Sequence, residues 1–141
     1  MPDIRKYTET DREELQQIYL LSRRQAFHWM PSNAFHLSDF EKDTEGEQIL
    51  IAEIDGQPAG FISIWMPDNF IHHLFVHPGF MKKGIGKTLL NAGIARLNGR
   101  AALKCLKQNE NAMSFYKANG WEIREEGSDG ADSYFLMTYG N

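Results

Sequence analysis

The hydrophobic pattern of the chain alternates between strand-like and helix-like segments. Residues 48–65 contain two β-rich runs around Asp55, Gly56 and Pro58, which predicts a β-hairpin, β2 and β3. The run NFIHHLFV at 69–76 predicts the next strand, β4, and the segment HPGFMKKGIGKTLL follows it at 77–90. Apolar residues then recur at helical spacing from Leu89 to Leu97, which predicts a helix, α3, over 84–97. The centre of the chain therefore has the order strand, glycine-containing loop, helix.

The two ends of the chain supply the remaining elements. Residues 2–8 predict a first strand, β1, and Thr10 with Glu13 has the spacing of a capping box for a helix, α1, that ends at about Phe27. The irregular stretch 26–43 predicts a loop and a short helix, α2, capped by Ser38. Residues 101–108 predict strand β5, and 109–120 predict a helix, α4, with Asn109 as its cap. A second hairpin, WEIREEG (β6) and DSYFLMTY (β7) joined by SDGA, closes the chain.

The predicted order is β1-α1-α2-β2-β3-β4-α3-β5-α4-β6-β7. Hairpins give antiparallel neighbours, whereas the β4-α3-β5 crossover makes β4 and β5 parallel. We therefore expect an α/β (α+β) fold with a mixed, mostly antiparallel twisted sheet of about seven strands and helices on both faces. At 141 residues the chain has the length of one domain, so residues 1–141 are predicted to fold as a single unit.

Composition and charge exclude several classes of function. A hydrophobic content of 42% is ordinary for a globular protein, and a formal net charge of −4 argues against a general nucleic-acid surface. No apolar run is long enough to span a bilayer, and the first 20 residues do not resemble a signal peptide, so we expect a soluble cytoplasmic protein without a membrane partner. The single cysteine, Cys105, excludes an intrachain disulfide, and its place within a strand favours a buried side chain over a covalent acetyl carrier.

The glycine-containing segment is typical of a phosphate-binding loop at the start of a helix. Gly86, Lys87 and Thr88 match the end of the P-loop pattern G-x-x-x-x-G-K-[ST], but its first glycine falls at Met81. The dinucleotide pattern G-x-G-x-x-G fails as well, since position 89 is a leucine. A loop serving only as a turn, with solvated lysines, is the remaining alternative.

The pattern Q/R-x-x-G-x-G/A fits residues 81–86 in all but its first position. Further on, Asn109, Ala112, Phe115 and Tyr116 form the pattern N-x-x-A-x-x-F-Y, followed by Gly120 and Trp121. With these two motifs and the strand LFVHP before the loop, nearly the whole chain resembles the GCN5-related N-acetyltransferases (GNAT). Met81 departs from the family, which usually has Gln or Arg there.

The resemblance implies acetyl-coenzyme A as cosubstrate. In the family, the pantetheine arm lies between β4 and β5, which splay apart, and the loop holds the pyrophosphate mainly through backbone amides. The residues that this assigns to the cofactor are Leu74, Phe75, Val76, Met81, Lys82, Lys83, Gly84, Ile85, Gly86, Lys87, Thr88 and Asn109.

The resemblance also implies catalytic roles. Tyr116 matches the family tyrosine that protonates the coenzyme A thiolate, whereas Phe115, about 100° away around the helix, is assigned to the core. Asn109 could cap α4, contact the cofactor, or both. Family members often place a base on the face of β4 shared by positions 70, 72 and 74, so His72 is the first choice for the base, and His73 the second if a bulge shifts the strand. Alternatively, water takes the proton and His72 only lines the pocket.

The two histidines are consecutive on a predicted strand. Regular alternation sends their side chains to opposite faces, where they cannot jointly bind one metal ion, so no metal is expected.

The expected function is transfer of an acetyl group from acetyl-coenzyme A to a primary amine of a small molecule or peptide, by direct attack. One alternative is a coenzyme A-binding module without catalysis. A second, which fits the motifs less well, is a P-loop-type phosphotransferase. The family also implies an acceptor pocket walled by the α1–α2 region, here His28, Trp29, Phe35 and His36, and it allows a homodimer.

Overall fold

The computed structural model describes residues 2–130 and 132–140. Its strands are β1 (Asp3–Lys6), β2 (Gln48–Ile54), β3 (Gln57–Trp65), β4 (Phe70–Val76), β5 (Ala101–Leu106), β6 (Glu122–Asp129) and β7 (Asp132–Tyr139). Its helices are α1 (Arg12–Ala26), α2 (Asp39–Asp43), α3 (Ile85–Ile94) and α4 (Glu110–Ala118). The predicted order of elements is confirmed. Ala131, in the predicted SDGA turn, lies outside the described residues.

All seven strands form one sheet in the order β1-β2-β3-β4-β5-β7-β6. Every neighbouring pair is antiparallel except β4 and β5, which are parallel, as the α3 crossover predicts. The register of this parallel pair consists of one position, Phe70 opposite Ala102. β4 therefore separates from β5 soon after it begins, and a gap opens in the middle of the sheet.

Two hydrophobic clusters cover the two faces of the sheet. The larger one joins α3 to the sheet through fully buried residues, among them Ile62, Leu89 and Leu90. The smaller one joins α1 and α2 to the opposite face through residues such as Leu15, Phe40 and Phe61. Among the described residues, no helix is long and apolar enough to cross a membrane.

The start of α1 differs from its prediction. The capping box is formed by Thr8 and Asp11 rather than by Thr10 and Glu13: the Thr8 amide donates to the Asp11 carboxylate at 2.8 Å. A short 3-10 turn, Glu9–Asp11, therefore precedes the helix. The physical reason is tertiary, because Arg5 on β1 also holds the Asp11 carboxylate, with nitrogen–oxygen distances of 2.6 and 2.8 Å.

Two other helix ends also differ. α3 ends at Ile94 instead of Leu97, although Leu97 still packs against the larger cluster. Ser38 precedes α2 but makes no capping hydrogen bond with its side chain; instead the Asp39 carboxylate accepts from the His36 amide at 2.9 Å.

The Arg5–Asp11 pair makes the free energy of unfolding depend on pH in the acidic range. Hydrogen bonds from Arg5 lower the pKa of Asp11 from 3.8 to about 2. A carboxyl group with a lowered pKa stabilises the fold above its unfolded pKa, and that contribution disappears as the pH falls through the folded value. We expect wild-type stability to fall between about pH 4 and pH 2, and Asp11→Asn to be less stable at pH 7 with a shallower fall in this window. Urea unfolding at a series of pH values measures both. Glu9→Gln, in the same turn and largely exposed, is the control and should keep the wild-type slope.

Candidate functional site

Within the described residues, the backbone N–H groups of 81–84, in the loop after β4, and of the first turn of α3 have no hydrogen-bond acceptor. Gly84, the N-cap residue of α3, has a φ of 76°, and Lys82 also lies in the left-handed region with a φ of 64°. The N–H groups at the start of a helix have no acceptor within the helix and carry the positive end of its dipole. The Thr88 amide and hydroxyl both bind the Gly84 carbonyl, so this threonine closes the first turn.

The side chains of the loop leave this backbone accessible. Met81 is 48% exposed, and Lys82, Lys83 and Lys87 are also exposed, whereas Ile85 is buried and anchors the helix in the larger cluster. Gly86 faces Phe115 and Val76 at ordinary contact distances. The loop thus combines exposed amides with nearby positive charge, which suits an anion such as a pyrophosphate.

The second half of β4 borders the gap in the sheet. Leu74 and Val76 pack towards the larger cluster, and Phe75 packs towards the smaller one. Since β4 pairs with β5 only at Phe70, the backbone edge of residues 74–76 that faces β5 has no strand partner in the described residues. An extended ligand can add hydrogen bonds to such an edge.

Helix α4 closes the gap on the α3 face. The Asn109 side chain caps α4 by accepting from the Ala112 amide at 3.3 Å. Tyr116 packs against Phe115 and Trp121, with ring centroids 5.3 and 5.8 Å away, and its hydroxyl makes no hydrogen bond within the described residues. Burial raises the pKa of Tyr116, so the phenol stays protonated at neutral pH and can donate a hydrogen bond. Both Phe115 and Tyr116 are partly buried against the larger cluster.

Cys105 lies near Tyr116 at the end of β5. It is 4% exposed, and burial raises the pKa of its thiol to about 11. Because only the thiolate is a good nucleophile, this environment fits a structural cysteine, as the sequence predicts.

The prediction that His72 and His73 face opposite sides of the sheet is wrong. Ser63 pairs with His73 whereas Ile64 pairs with Ile71, so His72 is an extra residue in β4 and forms a β-bulge. The two imidazole rings consequently stack on the same face with centroids 4.4 Å apart, and Leu74 packs on the opposite side in the larger cluster.

A buried carboxylate joins this pair. Glu47, between α2 and β2, has a side chain that is 4% exposed, and it contacts His72 Nδ1 and accepts from the Ser63 hydroxyl. The hydrogen bond to Glu47 raises the pKa of His72. Burial raises the pKa of Glu47, but the contacts with His72 and Ser63 outweigh it, so the net shift is downward. Glu47 and His72 therefore form a hydrogen-bonded acid–base pair.

His73 differs from His72 in its surroundings. Its Nε2 lies 3.1 Å from the Asp43 carbonyl, and its ring packs edge-on against Tyr19. Burial and the neighbouring His72 lower the pKa of His73, which favours the neutral ring.

The geometric reason for excluding a shared metal ion does not hold, since one ligand atom each from Glu47, His72 and His73 lies within 4.8 Å of the others. The absence of a metal ion therefore stays a prediction.

His72 lines an open cavity of about 580 Å³ on the α2 side of the sheet. The cavity is bordered by carboxylates, two lysines and two aromatic rings: Lys42, Asp43, Glu45, Glu47, Trp65, Asp68, Phe70, His72 and Lys104. Trp65 is 39% exposed. None of the described residues predicted to wall the acceptor pocket lines it; Trp29 instead lines a smaller cavity of about 80 Å³ beside Leu106 and Ser133.

A family model described as the Acetyltransferase (GNAT) family matches residues 12–121, which include the loop, β4 and α4. The chain belongs to the GNAT acetyltransferase family. The resemblance seen in the two motifs is thus confirmed across most of the chain.

Individual relatives agree with this assignment. An uncharacterized N-acetyltransferase of Methanocaldococcus jannaschii is 32% identical over 98 residues, which cover 60% of this chain and 42% of that protein. The peptidyl-lysine N-acetyltransferase YiaC of Escherichia coli is 35% identical over 71 residues, which cover 50% of this chain and 47% of that protein. The chain thus spans less than half the length of these two relatives.

Solved structures show the same fold over the whole chain. A GCN5-related N-acetyltransferase from Rhodopseudomonas palustris is 25% identical with a TM-score of 0.81, covering 100% of this chain and 96% of that one. PaiA N-acetyltransferase of Thermoplasma acidophilum, crystallised with coenzyme A, is 23% identical with a TM-score of 0.80, covering 100% and 99%.

Glu47 and its hydrogen-bond partner Ser63 are residues of this site that the sequence did not single out. The glutamate is the one that contacts His72. It lies 25 positions before His72, in a segment without a motif, and only the packing of α2 and β2 against β4 brings the two together. A lone acidic residue just before a strand gives no signal that distinguishes it from a solvated one.

Gly84, the N-cap of α3, and Gly86, in the first turn of α3, should respond oppositely to substitution by alanine. Gly84→Ala should lower the free energy of unfolding by about 1 kcal/mol or more, because an L residue is strained in the left-handed region. Gly86→Ala should raise it by about 0.5–1 kcal/mol, since a methyl group fits at ordinary contact distances and alanine favours the helix. Chemical denaturation measures both values. Equal effects of the two substitutions would contradict a left-handed backbone at Gly84.

Proposed function

We propose that the protein is an acetyl-coenzyme A dependent N-acetyltransferase that acts on a primary amine by direct transfer. The observation that carries the proposal is the gap between β4 and β5, with the amide-rich loop at its end, the Tyr116 hydroxyl on one face and the His72 cavity on the other. A thioester within this gap would be reached from both faces of the sheet.

The cofactor residues remain those that the motifs indicate. Loop amides from Gly84 onwards would bind the pyrophosphate, with Lys82, Lys83 and Lys87 supplying positive charge. The free edge of β4 at 74–76 would bind the pantetheine amides, and Asn109 would combine capping with contact to the cofactor. Two structures of this fold support the choice of ligand: PaiA contains coenzyme A, and yncA of Salmonella typhimurium contains acetyl-coenzyme A.

The chemistry requires a neutral amine, a polarised carbonyl and a proton for the leaving sulfur. In the proposed reaction the amine nitrogen attacks the thioester carbonyl, so a C–N bond forms and the C–S bond breaks. His72 Nε2 accepts a proton from the nitrogen, and a β4 backbone N–H stabilises the carbonyl oxygen. The departing thiolate receives the phenolic proton of Tyr116, and solvent restores both groups.

The acceptor would be a primary amine on a small molecule or a peptide. The carboxylates bordering the cavity favour a cationic ligand. The two lysines of the cavity are partly neutralised, because Lys42 lies 3.7 Å from Asp39 and Lys104 lies 3.7 Å from Asp129. A peptidyl-lysine amine, the acceptor named for the YiaC relative, is one substrate of this class.

A coenzyme A-binding module without catalysis is the alternative that retains the loop. It requires neither a protonated Tyr116 beside the gap nor a histidine hydrogen-bonded to a carboxylate, and both are present. These two features favour the enzyme.

Ligand-dependent melting tests the cofactor. Acetyl-coenzyme A at 100 times its Kd should stabilise the protein by about 2.7 kcal/mol and raise Tm by several degrees, because only the folded state binds. ATP with magnesium should leave Tm nearly unchanged. Stabilisation by ATP alone would instead support the P-loop interpretation.

Removal of the Tyr116 hydroxyl tests the leaving-group step. Tyr116→Phe should lower kcat by about 10²-fold with little change in the KM for acetyl-coenzyme A, because the lost donor acts on the departing sulfur. Tyr139→Phe is a matched control, since Tyr139 packs against the same Trp121 at 5.7 Å. Steady-state release of thiol with the best amine measures both variants. An unchanged kcat in Tyr116→Phe would show that another group protonates the sulfur.

A further inference from the structure

We propose that Glu47 is a positioning residue that holds His72 in the tautomer and orientation needed to accept the proton of the acceptor amine. The inference rests on the proposed N-acetyltransferase function and adds to it a residue that acts through His72. Its basis is the contact between the Glu47 carboxylate and His72 Nδ1, inside a site where the same carboxylate is anchored by Ser63.

The contact determines which ring nitrogen is free. When a carboxylate accepts from Nδ1–H of a neutral imidazole, the proton is fixed on Nδ1 and the lone pair lies on Nε2. His72 Nε2 makes no hydrogen bond within the described residues, and the side chain is 49% exposed towards the cavity. The ring therefore presents its basic nitrogen where an acceptor amine would enter.

Glu47 is itself held rigidly. Its side chain is 4% exposed, and the Ser63 hydroxyl, fully buried on β3, donates to one of its oxygens while His72 contacts the other. Ser63 lies opposite His73 on the neighbouring strand, immediately before the bulge. The bulge thus aligns serine, glutamate and histidine in one chain of contacts that ends in the cavity.

A buried carboxylate needs a compensating positive charge or good hydrogen bonds. Among the described residues, no lysine or arginine pairs with Glu47, so the positive charge that His72 gains on accepting a proton is compensated by this carboxylate. Proton uptake by His72 is consequently favoured where it faces Glu47, which is the property that a general base requires.

Other titratable and charged groups also face His72 from the elements around it. They are Lys42, Asp43 and Glu45 from α2 and the turn after it, Asp68 from the β3–β4 turn, His73 from β4 and Lys104 from β5. Their charges have mixed sign, whereas Glu47 is the carboxylate that hydrogen-bonds the ring. Glu45 borders the same cavity without contacting His72, which makes it a matched control.

The position of His72 fits the reaction. It precedes Leu74 by two residues, and a regular strand rises about 3.3 Å per residue; because the bulge shortens this stretch, His72 lies within about 7 Å along β4 of the start of the proposed pantetheine-binding edge. A bound acceptor amine can lie between the ring and a thioester held at that edge.

The test measures His72 directly and through catalysis. NMR titration of the histidine ring signals should show the Nδ1–H tautomer in the wild type, and Glu47→Gln should lower the pKa of His72 and populate both tautomers. In the pH profile of kcat/KM, the acidic limb should move to lower pH in Glu47→Gln, and the plateau should fall about tenfold because the remaining base is weaker. Glu45→Gln should leave the tautomer of His72 and the position of the acidic limb at wild-type values, because Glu45 does not contact the ring.

Further variants separate positioning from general structural damage. Ser63→Ala should move the acidic limb of the kcat/KM profile to lower pH, but by less than Glu47→Gln. Glu47→Asp should keep a higher plateau of kcat/KM than Glu47→Gln, because it retains the negative charge. Circular dichroism and melting confirm that each variant is folded. The proposal would be overturned if folded Glu47→Gln kept the wild-type tautomer of His72 and the wild-type acidic limb of the kcat/KM profile. It would also be overturned if Glu45→Gln moved that limb as far as Glu47→Gln does. Either result would leave the acetyltransferase function intact. Absence of transfer by the wild type to every amine in a broad panel would instead overturn the proposed function, with the NMR result still reporting on the Glu47–His72 contact.

Discussion

The separation of β4 from β5 is the constraint on which the rest of the site depends. A parallel pair in the middle of a sheet is normally hydrogen-bonded along its length, but here the pairing is confined to Phe70 and Ala102. The unpaired edge of β4 needs other partners, since buried backbone groups without hydrogen bonds are costly. α3 begins just beyond β4, so the same departure also places the free amides of residues 84–86 near this edge. The separation of β4 from β5 thus produces both the gap in the sheet and the position of the anion-binding loop beside it.

The bulge at His72 completes the other side of this gap. In a regular strand the residues after Ile71 would alternate, and only one histidine would face α2. The extra residue instead puts both imidazoles beside Glu47, while Leu74 still returns to the core around α3. The hydrophobic packing of β4 and the clustering of its polar groups are therefore compatible, although no regular strand would allow both.

The sequence predicts the elements well because their signals are local. The hairpin at 48–65, the glycine loop and the cap at Asn109 each depend on residues within a few positions of one another. The details that it did not predict depend on distant partners. Arg5 selects the Thr8–Asp11 cap, the register of β3 against β4 creates the bulge, and Glu47 reaches His72 across 25 positions. Alternation applied to His72 and His73 was wrong for this reason, although the family comparison and the loop spacing were sufficient for the fold.

The contrast between the two histidines explains why one of them is suited to proton transfer. His73 is packed against Tyr19, and its Nε2 lies against the Asp43 carbonyl, whereas His72 contacts a carboxylate on one side and solvent on the other. Two imidazolium charges about 4 Å apart would repel each other by about 4 kcal/mol at an effective dielectric constant of about 20. The stacked pair therefore carries at most one positive charge near neutral pH, and Glu47 favours that charge on His72 once its ring has accepted a proton. A neutral His73 then supports the ring of its neighbour without competing for the proton, so the bulge assigns different roles to two adjacent residues of the same type.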